Sequence, residues 1–344
     1  MALYNKVNKE VLKENILKDE RKRTTLSFYK YHQIGDAHTF RDELYKVLDE
    51  LEVFGRIYVS SEGVNGQISV LDSKWDAFKL ALGTFDFMKD MRLNVAIEDD
   101  GKSFYKLKIK VRQKIVADGL DDESFDVTDG GTHLSAEAFN ELTAQDDTVV
   151  VDMRNHYESE VGHFKGAITP DVETFRESLP IVEDLLQEHK SKNIVMYCTG
   201  GIRCEKASAW FKHKGFEKVY QLDGGIIEYT RQAKAHGLPN KFVGKNFVFD
   251  DRLGEKISAD TISQCHQCGQ PSDDHTNCVN DACHILFIQC ASCQDKNEGC
   301  CSEKCRDFMR LPLSEQEALK PRMVFNGTKF GKGRYKAHKK KDQL

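Results

Sequence analysis

Hydrophobic residues recur along this chain with two periods, and the switches between them mark its elements. TTLSFYKY, from Thr24, reads as a strand. In HTFRDELYKVLDELEVFG, Phe40, Leu44, Val47, Leu48 and Leu51 fall on one helical face, and the helix is expected to end near Gly55. RIYVS and GQISV predict two short strands joined by the turn-forming link SEGVN. DSKWDAFKLAL predicts a second helix, with Trp75, Phe78 and Leu82 in register and Asp72 or Ser73 as its cap. LNVAI and FYKLKIKV add more strand. Ahead of all this, Val7, Val11, Leu12, Ile16 and Leu17 recur at helical spacing, so residues 1–23 predict an N-terminal helix.

The order β-α-β-β-α-β predicts a ferredoxin-like domain over residues 24–118, with both helices on one face of an antiparallel sheet. The polar, acidic residues 119–130 read as a linker. Alternation resumes after them: helix SAEAFNELT, strand TVVVDMR, a helix around Phe175–Leu179, helix VEDLLQEHK, strand NIVMYC, helix CEKASAWFKHKG and strand KVYQLDGG. Buried runs separated by helices predict an α/β domain over residues 131–240, a doubly wound parallel sheet with helices on both faces. Residues 241–312 change character and hold a cysteine-rich module. The chain is thus a multidomain protein of α/β and α+β parts, closed by a basic tail over residues 313–344.

Composition narrows the picture little. In the 344 residues 40% are hydrophobic, enough for real cores, and no run reaches the length of a membrane span. The charged N-terminus has no apolar leader segment, so a cytoplasmic location is expected. Lys+Arg number 50 against 55 Asp+Glu, so any nucleic-acid surface must be local. One such surface is legible. Lys106, Lys108, Lys110, Arg112 and Lys114 occupy alternate positions of FYKLKIKVRQK, and period two puts all five on one face. Like charges stacked along a strand repel, so a polyanion partner is expected, with a plain solvated face as the other reading. Tyr29 and Tyr31 are expected on that face as stacking surfaces for RNA. The tail KFGKGRYKAHKKKDQL sets seven cations against Asp342; it reads as disordered, or as a basic arm.

The sharpest chemistry lies in VMYCTGGIRCEKAS. Cys198 ends a buried strand just ahead of a helix. Thr199, Gly200, Gly201 and Ile202 are placed to curl their N–H groups inward around the sulfur, and Arg203 closes the loop with a fixed charge. Such a nest at a helix start stabilises a thiolate. Cys204 begins the helix, as a packing residue or as a resolving thiol for an oxidised Cys198.

These residues carry a resemblance. Cys198-x-x-Gly201-x-Arg203 resembles the active-site loop of the rhodanese superfamily, whose six-residue loops suit sulfur chemistry. VVVDMRNHYESEVGHFKGAI, with Asp152, Arg154, Glu158, Gly162, His163 and Gly166, resembles that domain's entry motif, and LDGGIIEY, with Gly224 and Gly225, its closing motif. Taken with GKNFVFDDRLGEKIS and the CHQC segment, the chain resembles the rhodanese-domain tRNA uridine hydroxylases from about Thr24 to Cys305. The resemblance implies oxygen-dependent conversion of the wobble uridine 34 of tRNA to 5-hydroxyuridine, with an essential loop cysteine and molecular oxygen as co-substrate. No flavin or nicotinamide fingerprint is visible. A thiolate explains nucleophilic attack but not oxygen insertion, so either addition of Cys198 to C6 of the base or an oxidised sulfur species is open. Two rivals stand beside this reading: a sulfurtransferase carrying a Cys198 persulfide, and a non-catalytic RNA- or protein-binding module.

Nine of the eleven cysteines lie between Cys265 and Cys305. Their short spacings suit tetrahedral metal sites, and too few apolar residues lie among them to form a core unaided. Eight thiolates, Cys265, Cys268, Cys278, Cys283, Cys290, Cys293, Cys301 and Cys305, would fill two structural zinc sites. Cys300 competes with Cys301 for its place, and His266, His275 and His284 are possible substitutes. The pairing stays open; an interleaved arrangement, first pair with third and second with fourth, is preferred.

Overall fold

The computed structural model describes residues 7–121, 125–327 and 335. Residues 328–334 and 336–344 of the basic tail, and residues 122–124 of the expected linker, lie outside the described residues. The chain divides into two compact units: Met1–His156 with Phe164–Lys241 and Val248–Glu255, and Tyr157–His163 with Phe242–Phe247 and Lys256–Leu344. No described helix is long and apolar enough to cross a membrane.

In the first unit, α1 (Lys9–Lys18) buries Ile16 but leaves Val11 and Leu17 exposed. The β-α-β-β-α-β order follows as β1 (Arg23–Tyr31), α2 (Ala37–Glu50), β2 (Phe54–Ser60), β3 (Gly63–Leu71), α3 (Trp75–Gly83) and β4 (Asn94–Val95). A further strand, β5 (Leu107–Val111), extends the sheet to the order β4-β1-β3-β2-β5. β5 runs parallel to β2, so the sheet is not wholly antiparallel. Helix α2 is capped by the Asp36 carboxylate, which accepts from the amides of His38 and Thr39. It ends at Leu51, short of Gly55, because Glu52 turns left-handed (φ 56°) and drops Val53 into the core. The expected link SEGVN shrinks to a two-residue turn, Ser61 and Glu62, since Gly63 already pairs with Ser60. Phe40, Leu44 and Leu48 of α2 and Phe78 and Leu82 of α3 bury against Leu26, Phe28, Ile57, Ile68 and Ile109. Both helices therefore cover one face of the sheet. The other face carries Tyr29 opposite Asn65, Tyr58 opposite Lys110 and Arg56 opposite Lys108.

The same unit holds a second sheet, order β6-β10-β9-β7, with every pairing parallel. Its elements are β6 (Thr132–Leu134), α4 (Ala136–Leu142), β7 (Thr148–Asp152), α6 (Phe175–Leu186), β9 (Asn193–Tyr197), α7 (Ile202–His213), β10 (Val219–Leu222) and α8 (Gly225–His236); between β7 and α6 the chain forms α5 (His156–Ser159) and β8 (Gly162–Phe164), a strand of a separate three-stranded sheet. Alternation along β9 shows why helices cover both faces. Ile194 and Met196 pack with Leu179 and Val182 of α6 and Phe211 of α7. Tyr197 points the other way, onto Phe164, which meets Phe139 of α4 and Tyr229 of α8. The two helices predicted over 175–190 are one. Thr174 caps it, and the buried row Phe175, Leu179, Val182 and Leu186 carries the helix through Pro180.

In the second unit a hairpin, β13 (His275–Asn277) with β14 (Leu286–Ile288), follows two short strands, β11 (Phe242–Asn246) and β12 (Glu255–Lys256). Three short helices close it: α9 (Ala291–Asn297), α10 (Glu303–Met309) and α11 (Leu313–Leu319). The last shows that the stretch expected as tail begins as helix. The small core is made of cysteines with Ile285, Phe287 and Tyr335.

Candidate functional site

Cys198 follows the last residue of β9 and is 1% exposed. Two glycines shape the loop around it. Gly201 adopts φ 102° and sends its amide to the Cys198 sulfur at 3.1 Å. Gly225 (φ 66°) lets the start of α8 press against the loop, since a Cβ there would lie 2.5 Å from the Cys198 carbonyl oxygen. The amides of Ile226 and Ile227 then hold the carbonyls of Cys198 and Thr199 at 3.0 and 3.2 Å. With those carbonyls tied outward, the N–H groups are free to turn toward the sulfur.

Electrostatics follow from that geometry. Burial pushes the Cys198 thiol up. The Cys204 thiol donating to it, the Arg203 charge, and the amides of Arg203 and Gly201 outweigh burial and bring it down to about 6. Cys204 is itself fully buried. Burial and the neighbouring thiolate raise its own titration well above the usual thiol range, so it stays a protonated donor. Arg203, on the first turn of α7, lies 5.8 Å over the ring of Phe249, which is 42% exposed.

The rest of CEKAS ties this domain to the sheet of the first. Glu205 accepts from the Tyr29 hydroxyl, from His133 Nε2 and from Gln221 Nε2, each at 3.0 Å. Burial pushes Glu205 up, but those three donors, His133 foremost, hold it below the usual carboxylate range. Lys206 is fully buried and pairs with Glu62 at 2.8 Å and with Asp118. Ser208 accepts from the Gly131 amide at 2.8 Å. The Tyr31 hydroxyl donates to the Ile202 carbonyl, and Asn94 Nδ2 to that of Gly200, both at 3.3 Å. Arg92 donates two hydrogen bonds to the Asp223 carboxylate, beside the closing glycines. Tyr29 and Tyr31 thus lie on the expected face, but their hydroxyls are taken up by the cysteine loop and its helix. They do not offer the free stacking surfaces anticipated for RNA, because α7 docks over them.

Of the five cations expected in a row, Lys108 and Lys110 stand exposed on β5, with Lys106 and Arg112 flanking the strand. Lys114 leaves the row and pairs with Asp118 at 2.6 Å. Sequence reasoning missed Arg56, paired in register with Lys108. Partial burial first, then Lys110, Lys106, Arg56 and Arg112, lower the Lys108 titration, the mark of a concentrated positive patch. Arg112 also lies 5.7 Å over Tyr58, and Arg56 donates to the Phe249 carbonyl. The patch therefore borders the residue under Arg203. Glu62, Asn94, Glu205, Lys206 and Phe249 were also missed; CEKAS was the one visible signal for two of them.

In the second unit the cysteines gather into two tetrads, Cys265, Cys268, Cys290 and Cys293, and Cys278, Cys283, Cys301 and Cys305. This is the interleaved arrangement, with Cys301 in place and Cys300 outside. Within each tetrad the sulfurs lie within 4.8 Å of one another, with Cys268–Cys290 and Cys283–Cys301 at 3.6 Å. Four thiolates about a tetrahedral ion at ~2.3 Å would stand roughly 3.8 Å apart, so the donor sets fit such an ion. The second tetrad has its own supporting donors: the Cys301 amide to Cys278, Asn280 to Cys305 and the Gly327 amide to Cys283. His266 bonds to Glu160, His275 packs on Phe247, and neither they nor His284 joins a tetrad.

A thiolate nested in loop amides at the tip of a parallel sheet defines a rhodanese-type site, and the comparisons agree. The Rhodanese-like domain family matches residues 135–232, the UPF0176 acylphosphatase like domain residues 23–115, and the Rhodanase C-terminal family residues 243–306. The tRNA uridine(34) hydroxylase of Pectobacterium atrosepticum is 57% identical over 320 residues, 93% of this chain and 90% of that one. That of Yersinia pestis is 57% identical over 318 residues, 92% and 90%. Among solved structures, the rhodanese-like domain of an Anabaena protein is 22% identical, covering 33% of this chain and 78% of that one at a TM-score of 0.27. The chain belongs to the tRNA uridine(34) hydroxylase family.

Proposed function

We propose that this chain hydroxylates uridine 34 of tRNA at C5, and that Cys198 is the reacting group. The observation that carries the reading is the Cys198 sulfur itself. It is ionised near neutral pH, ringed by loop amides and backed by Arg203. A thiolate of this kind adds to C6 of a uracil ring, which makes C5 electron-rich and reactive toward one oxygen atom of dioxygen, the other leaving as water with two electrons from a reductant outside this chain. The amides of the loop and the Arg203 charge favour the thiolate whenever sulfur leaves again.

The positive patch of Arg56, Lys106, Lys108, Lys110 and Arg112 supports contact with the tRNA backbone. Phe249, exposed beneath Arg203, offers an aromatic surface between that patch and the loop. The two tetrads support two structural zinc ions, because four thiolates leave no open position for chemistry. Action on tRNA supports a cytoplasmic location.

Mass spectrometry of tRNA nucleosides from cells with and without the chain tests the reading. Loss of 5-hydroxyuridine on deletion is expected. Unchanged 5-hydroxyuridine with loss of a thiolated nucleoside would replace hydroxylation by sulfur transfer.

A further inference from the structure

The proposed reaction leaves a proton to be disposed of. Once sulfur stands on C6 and oxygen on C5, the aromatic ring is restored only when the C5–H bond breaks. Its electron pair then forms the C5–C6 double bond, and the C6–S bond breaks to return the pair to sulfur. The proton needs an acceptor at the loop, and neither Cys198 as leaving group nor Arg203 as a fixed cation serves.

We propose that Tyr29, from the sheet of the first domain, takes this proton and passes its own to the Glu205 carboxylate; the proposal rests on the functional reading above. The Tyr29 hydroxyl oxygen lies 2.6 Å from where a Cβ on Gly201 would stand, so it caps the loop at the amide that binds the sulfur. Tyr29 and His133 bond to the same carboxylate oxygen, Glu205 Oε1, each at 3.0 Å. As the Tyr29 oxygen accepts the C5 proton, its own proton passes to Oε1, the oxygen that His133 Nε2–H also holds. The His133 side chain is 46% exposed, so the carboxylate that receives the proton lies beside solvent. Gln221 fixes the other carboxylate oxygen, so Glu205 cannot turn away. The hydroxyl of a tyrosine is suited to a shuttle, since it donates and accepts at once. Glu205 and His133 act through Tyr29 and are positioning residues. The arrangement also accounts for a sheet whose tyrosines face a catalytic loop rather than RNA.

The test is Tyr29→Phe in the full chain, assayed on tRNA with unlabelled and with 5-deuterated uridine at position 34. Loss of an acid–base group costs a rate factor on the order of 100 or more, so kcat should fall by about 100-fold. KM and tRNA affinity should hold, and a deuterium isotope effect on kcat should appear or rise as C5–H cleavage becomes limiting. If Tyr29 only cements the two domains, the variant loses thermal stability or tRNA affinity while kcat and the isotope effect stay as in wild type, which overturns the proposal. Should Tyr29→Phe fail to fold, Glu205→Gln keeps the shape and removes the carboxylate; full kcat in that variant overturns it equally. A wild-type chain that forms no 5-hydroxyuridine overturns the functional reading with it, whereas an active wild type beside an equally active Tyr29→Phe overturns this proposal alone.

Discussion

The amide of Gly201 donates to the sulfur of Cys198 across 3.1 Å, three residues along the same loop. That bond, the Cys204 thiol and the Arg203 charge set the thiolate near neutral pH. Only the thiolate alkylates, so the rate of Cys198 modification should rise with pH and reach half its plateau near pH 6. Arg203→Ala removes a stabilising charge and should move that midpoint upward. Cys204→Ala removes a donor and should do the same, whereas Cys204→Ser keeps a hydroxyl donor and should move it less. Rates of iodoacetamide labelling at Cys198 across pH 4–9, read by peptide mass spectrometry, check all three.

Lys206 is fully buried against Glu62 and Asp118, at the junction of the first domain with α7. Lys206→Met strips Glu62 of its cation and leaves buried Asp118 with Lys114 alone. Breaking one side of a buried ion pair costs about 3–5 kcal/mol. Urea unfolding should show a loss of that order, and a loss below about 1 kcal/mol would mean the pair is dispensable to docking.

The positive patch should bind tRNA through phosphates. Lys108→Glu with Lys110→Glu should weaken tRNA binding and flatten its dependence on salt, since fewer counterions are released. Folding should hold, because both side chains are exposed. Binding isotherms at several salt concentrations check this; an unchanged salt slope contradicts it.

The two tetrads should hold about two zinc ions per chain by elemental analysis. Stripping the metal with a chelator should unfold the second unit, whose small core is itself largely cysteine. Cys283→Ser should release one ion and Cys300→Ser neither, since Cys300 stands outside both tetrads.

The periodicity of the chain made both sheets legible, because their strands are buried on at least one face and their helices carry clear apolar rows. Phe40, Leu44 and Leu48 announced α2, and Ile194 and Met196 announced β9. What stayed hidden was set by contacts distant in sequence. Nothing local predicts that β5 adds in parallel beside β2, or that Pro180 is carried inside one helix by Leu179 and Val182. The cysteine loop was legible since its chemistry is contiguous: sulfur, glycines and arginine within six residues. The use of Tyr29 was not, because its partner Glu205 is 176 residues away and the pairing exists only once the two sheets dock. The interleaving of the tetrads was visible as one option among several. Pair spacing shows which sulfurs share a loop but not which loops meet.

The most direct measurement is the 5-hydroxyuridine content of tRNA in cells lacking the chromosomal copy of this chain and supplied with either wild type or Cys198→Ser. Serine keeps the side-chain shape, but its hydroxyl is not ionised at neutral pH. Full restoration by wild type and none by Cys198→Ser is expected, with tRNA binding by the purified variant intact. Restoration of 5-hydroxyuridine by Cys198→Ser would contradict the assignment of the loop sulfur as the reacting group.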